Sequence, residues 1–105
     1  MKLSASEIDE GLNTLRGWRL DGHAIVKQFS FDDFPSAIAF VDRLVPGAER
    51  ADHHPDITIN YRRVTLRYST HSEGAVTRKD LEGAAMADRV VEKEQPEERD
   101  QPDAG

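Results

Sequence analysis

Glu49 to Asp80, ERADHHPDITINYRRVTLRYSTHSEGAVTRKD, is the stretch whose reading decides the fold. Ile57 and Ile59 fall on odd positions, whereas Val64, Leu66 and Tyr68 fall on even ones. Side chains of a continuous strand alternate between faces, so such a phase change needs a bulge or a turn. A turn at Tyr61-Arg62 makes the change naturally and pairs Ile59 with Val64 and Ile57 with Leu66. Extending that register sets Pro55 opposite Tyr68 and brings His53-His54 beside Thr70-His71. Three of the four histidines of the chain then gather at the open end of one hairpin.

Working outward, Thr77-Arg78-Lys79-Asp80 matches a capping box and opens a helix that turns Leu81, Ala84, Ala85 and Val91 inward. Upstream, Asp32 or Asp33 can cap a helix that tolerates Pro35 in its first turn. Its expected buried stripe is Phe34, Ala37, Ile38, Val41, Leu44 and Val45. Pro46-Gly47 is expected to kink or end it, with Ala48 to Ala51 resuming a helical turn. Before that, Trp18, Leu20, Ile25, Phe29 and Phe31 alternate around Asp21-Gly22. A two-residue loop at 21–22 pairs Trp18 with Ile25 and leaves His23 exposed beside the turn. The chain opens with a second capping box, Ser4 to Glu7, followed by Ile8, Leu12 and Leu15 at helical spacing and a stop at Gly17. The expected architecture is α+β in the order α-β-β-α-β-β-α, a four-stranded antiparallel sheet with three helices packed on one face.

The 105 residues suit one domain, expected over 1–93. An acidic segment, 94–105, is expected to form a disordered tail, since it lacks large apolar residues after Val91 and contains two prolines. There is no cysteine, hence no disulfide, thiolate metal site or cysteine nucleophile. A formal net charge of -6 argues against direct nucleic-acid binding, which relies on Lys and Arg neutralising phosphates. No long apolar run suggests a signal peptide or membrane span, so a cytoplasmic protein is expected.

Histidine titrates near neutrality, so a cluster can supply both a general acid and a general base. Ser69, Thr70 and Ser72 lie near His71, but no nucleophile elbow or orienting acid accompanies them. A metal held by His53, His54, His71 and Asp52 is disfavoured, because adjacent residues of extended chain point to opposite sides. Taken singly, His53 and His54 read as surface residues at a helix–strand junction and His71 as a strand end. Asp80 reads as an acid at helix position N3, and Glu49 as a solvated helix end.

Together, Glu49-x-x-x-His53-His54-Pro55, Tyr61, Ser69-Thr70-His71 and Asp80 resemble the signature of the pterin-4a-carbinolamine dehydratase family. Leu3-Ser4 and the run Val26 to Phe34 extend the likeness across Leu3 to about Val91. Where some members carry an aromatic residue soon after the pair, this chain has Asp56-Ile57. The resemblance implies dehydration of a 4a-hydroxytetrahydropterin to quinonoid dihydropterin and water, in tetrahydropterin recycling after an aromatic amino acid hydroxylase. It implies a pocket lined by His53, His54 and His71, with His53 and His71 as proton donors to the departing hydroxyl and His54 mainly binding substrate. It further implies that Asp80 and Glu49 orient a histidine or bond the pterin. No metal or organic cofactor is implied, the pterin being the substrate. A homodimer or homotetramer is expected from the same source. The other role it implies is that of a non-catalytic binding or assembly module of the dimerisation-cofactor kind.

Overall fold

The computed structural model describes residues 1–100, with side chains described to Glu92. The elements follow the order expected: α1 (Ala5–Leu12), β1 (Arg19–Asp21), β2 (Ala24–Ser30), α2 (Phe34–Ala51), β3 (Asp56–Asn60), β4 (Arg63–Tyr68) and α3 (Arg78–Asp100). The strands form one antiparallel sheet in the order β1-β2-β4-β3. Of the acidic segment 94–105, the residues to Asp100 have helical backbone in α3, and the remainder lies outside the described residues.

The β3–β4 hairpin has the register read from the phase change, with Ile59 opposite Val64 and Ile57 opposite Leu66. Its loop is Tyr61-Arg62, and Tyr61 adopts φ 57° in place of the glycine or asparagine such loops favour. Val64, Leu66 and Tyr68 of β4 meet Ile25 and Phe29 of β2 and Ala37, Phe40 and Leu44 of α2 in one core cluster, which Ile8 joins from α1. The aromatic rings of Phe29, Phe31 and Phe40 lie within 5.1 Å of one another in two consecutive pairs.

Four local expectations need correction. The first hairpin turns at Gly22-His23, one residue later than expected, so Leu20 and not Trp18 pairs with Ile25. Gly22 has φ 63° and takes the first central position, where glycine suits a two-residue hairpin loop. Trp18 instead precedes β1 and is buried in the core. Helix α1 stops at Leu12 with Asn13 as its C-cap, and the positive φ of Gly17 closes the turn that follows rather than the helix. The stripe of α2 is Ala37, Phe40, Leu44 and Ala48, while Phe34 and Val45 are about half exposed. Finally, α2 continues through Pro46-Gly47 to Ala51. Pro46 is exposed, as is Asp42, whose carbonyl the proline deprives of a donor, so water remains available to it. Gly47 faces α3, and a Cβ there would collide with Met86 Sδ.

The middle of α3 is fastened by Asp88. Its carboxylate accepts from Trp18 Nε1 at 3.2 Å and from Lys27 Nζ at 2.9 Å, joining helix, turn and β2. Lys27 also donates to the Arg16 carbonyl and sits over the Phe29 ring. Asp88→Ala is expected to cost about 1–3 kcal/mol, the usual worth of partly buried hydrogen bonds to a charged group. A lower urea midpoint with an unchanged slope would register that loss.

Candidate active site

The end of α2 creates the site by turning the chain back. Asp52 adopts the left-handed conformation (φ 52°, ψ 44°), and its N–H and that of His53 return to the carbonyls of the last helical turn. Aspartate tolerates this conformation better than most side chains. The reversal carries His53, His54 and Pro55 past the sheet end into β3. On the opposite side, β4 ends at Tyr68, and Thr70 and Ala75 form an isolated bridge that closes the short loop holding His71. The N–H of Gly74, at φ 61°, donates to the carbonyls of Thr70 and His71.

Asp52, His53, His54, Asp56, His71 and Lys79 are among the residues that line one cleft of about 430 Å³. That size is within the range of small-molecule sites. All three candidate histidines therefore reach the same cavity. Their environments differ. His53 is largely buried, with 12 % of its side chain exposed, and its Nε2 lies 2.5 Å from Asp80 Oδ1. His54 is half exposed and its Nε2 lies 2.7 Å from Glu49 Oε2. His71 is exposed. The adjacent histidines thus turn to different helices, as extended neighbours must.

Asp80 is fully buried. Its Oδ2 accepts from the Thr77 N–H at 2.8 Å, the returning half of a capping box at the start of α3, and from Thr70 Oγ1 at 2.9 Å. Because Thr70 spends its proton on Asp80, the 2.7 Å contact between Thr77 Oγ1 and Thr70 Oγ1 is donated by Thr77. Thr77 Oγ1 in turn accepts from the Lys79 N–H at 3.2 Å. The helix start, the end of β4 and the carboxylate form one hydrogen-bonded unit. With Asp80 Oδ1 acting as acceptor, His53 Nε2 is the donor, which leaves Nδ1 as the basic nitrogen of that ring. An imidazole held at one nitrogen by a buried carboxylate, with a second imidazole in the same cleft, is an arrangement able to donate and accept protons. Among the described residues, no group of His, Cys, Asp and Glu is arranged to hold a metal ion.

Several residues of this unit were not singled out from sequence. Thr70 and Thr77 appeared only as parts of a motif and a cap. Lys79 lines this cleft and also a second one, of about 400 Å³, between α2 and α3, which shares His53. Tyr68 packs against His53 with ring centroids 6.1 Å apart. The one sequence signal for Tyr68 is that it is the last inward residue of β4.

Burial and the neighbouring Asp80 carboxylate push the Tyr68 hydroxyl up to about 12. The folded form therefore holds this proton more tightly than the unfolded chain, whose tyrosine loses it near 10. The stability tied to this group is whole below about pH 10 and is lost as pH rises towards 12, with a slope of at most about 1.4 kcal/mol per pH unit. Tyr68→Phe is expected to flatten that slope in urea unfolding between pH 9.5 and 11.5. At pH 7 it should be neutral or stabilising, since it removes a buried hydroxyl without a partner.

The family model of pterin 4 alpha carbinolamine dehydratase matches residues 1–90. A Roseiflexus castenholzii protein provisionally named as a pterin-4-alpha-carbinolamine dehydratase is 48% identical over 89 residues, 85% of this chain and 96% of its own. A Brucella melitensis crystal structure titled as a transcriptional coactivator/pterin dehydratase superposes with a TM-score of 0.82 at 38% identity, covering 86% of this chain and 98% of that one. A pterin dehydratase-like protein described as a RuBisCO assembly factor of the alpha-carboxysome shares the fold, with a TM-score of 0.57 at 20% identity over 70% of this chain and 84% of that one.

Proposed function

The chain belongs to the pterin 4 alpha carbinolamine dehydratase family, and from that premise we propose that it dehydrates a 4a-hydroxytetrahydropterin to quinonoid dihydropterin by histidine acid/base catalysis. The observation that carries this reading is the convergence of His53, His54 and His71 on one cleft, with His53 held by the buried Asp80.

The reaction breaks the C4a–O bond and forms the C4a=N5 double bond. The departing oxygen takes the bonding pair and needs a proton to leave as water. The N5 lone pair fills the gap at C4a, and the N5 proton is lost to a base. His53 and His71 act as the acids at the leaving hydroxyl, and the conjugate base of either can take the N5 proton, so no net proton is consumed. His54, tethered to Glu49 at the exposed side, binds substrate. Asp80 accepts from His53 Nε2, so the proton that His53 gives to the leaving oxygen and regains from N5 is the one carried on Nδ1. The pterin enters as substrate, and the protein's own side chains supply each proton transfer.

An aromatic amino acid hydroxylase is the proposed source of the carbinolamine, the cytoplasm the proposed setting and a homodimer or homotetramer the proposed assembly. The test of the reading is the rate at which freshly generated 4a-hydroxytetrahydropterin yields quinonoid dihydropterin. Acceleration that scales with protein concentration is expected. A rate equal to the spontaneous one would sink the dehydratase reading for that pterin and leave the chain as a binding or assembly module.

A further inference from the structure

Tyr68 takes no part in those proton transfers, yet it belongs to the core and also packs against a residue of the site. Its side chain is fully buried, and its hydroxyl is, among the described residues, a buried oxygen with no hydrogen-bond partner. A phenylalanine would fill the same space without that cost. The ring packs at 49° against Trp18 but lies within 19° of parallel to His53.

That parallel contact does something the hydrogen bond to Asp80 cannot. A bond at Nε2 fixes one atom of the imidazole and the direction in which it points. The ring can still tilt about the line from Nε2 to Oδ1. A flat aromatic face packed against the ring removes that freedom, and a centroid separation of 6.1 Å is within the range of favourable offset stacking. The space for Tyr68 is provided by α3. At Gly83 a Cβ would stand 2.5 Å from Tyr68 Cε1 and 2.8 Å from Cζ, closer than the buried ring could accommodate without moving. One turn of α3 thus supplies the carboxylate that directs His53, and the next turn the gap that seats the ring beside it.

We propose that Tyr68 is a positioning residue for His53: its ring sets the plane of the imidazole, Asp80 sets its direction, and Gly83 keeps the space that the ring needs. The kinetic consequence rests on the dehydratase reading, but the geometric one does not.

Two measurements on the full chain separate these. The first is the imidazole nitrogen and proton spectrum of His53, in which an Nε2–H held by a carboxylate gives a slowly exchanging, downfield proton. The second is steady-state dehydration. Tyr68→Phe keeps the ring, so the downfield proton and kcat stay as in the wild type. Tyr68→Leu, and Gly83→Ala acting from outside the pair, broaden or lose that proton and lower kcat about tenfold at constant KM, as expected when a reacting group loses its set orientation. Phe40→Leu, which weakens the core away from His53, changes neither. Retention of the resonance and of kcat in Tyr68→Leu overturns the proposal, as does an equal loss in Phe40→Leu. Should the wild type show no dehydration, the spectrum alone decides the role of Tyr68, and the failure belongs to the dehydratase reading.

Discussion

Asp80→Asn is expected to lower the dehydration rate by about a hundredfold or more while leaving the protein folded, because it forces His53 into the wrong tautomer. Asp80 has two oxygens facing three donors: His53 Nε2, the Thr77 N–H and Thr70 Oγ1. Asparagine keeps one carbonyl oxygen, which can stay at the Oδ2 position and serve Thr70 and the helix start. The amide nitrogen then faces His53 and must donate, so Nε2 becomes the acceptor and the remaining proton moves to Nδ1. The doubly protonated ring, which is the acid, then has no place for its Nε2 proton, and the bare Nδ1 that takes the N5 proton is also lost, without removing a side chain. Asp80→Ala differs in kind. It leaves three donors facing a cavity inside the protein, and a loss of about 3–5 kcal/mol is expected. Urea unfolding of the two variants beside the dehydration assay separates the effects. If Asp80→Asn retained full activity, Asp80 would be a helix cap and nothing more.

The second large effect concerns the histidines themselves. His53→Ala and His71→Ala are each expected to reduce kcat by about 10²–10⁴-fold, the range that a positioned acid or base contributes. His54→Ala should act mainly on KM. Stability divides them differently. His71 is exposed, so its loss should change unfolding by no more than about 0.5 kcal/mol. Removing His53 strips a donor from a fully buried carboxylate and is expected to cost about 1–3 kcal/mol. A His71 variant that is stable and inactive therefore carries more weight than an inactive His53 variant, whose fold is also weakened.

Most of the architecture could be read because its signals were local and redundant. The switch from odd to even apolar positions set the β3–β4 register, and that register brought His53 and His54 to Thr70 and His71. The capping pairs Ser4/Glu7 and Thr77/Asp80 located two helix starts. The errors arose where two local rules competed. Asp21-Gly22 and Gly22-His23 are both acceptable hairpin loops, and the burial of Trp18 in the core selects the second. Pro46 breaks helices by rule, but on an exposed face, followed by a glycine against which α3 packs, it does not end this one. The site was legible as a set and obscure in its wiring. Asp80 has a sufficient local explanation at N3, so nothing in its own neighbourhood announces a partner 27 positions away. Tyr68 was visible only as an inward strand residue, because its relation to His53 depends on the left-handed turn at Asp52 and on the missing side chain at Gly83.

The most direct test of the central claim is the rate of quinonoid dihydropterin formation from fresh 4a-hydroxytetrahydropterin with the wild type and with the double variant His53→Ala/His71→Ala, corrected for the spontaneous reaction. The account predicts a clear excess for the wild type and the loss of nearly all of it in the double variant, with the fold retained. A wild type that accelerates the reaction and a folded double variant that does so equally well would contradict it, placing the chemistry elsewhere than in this cleft.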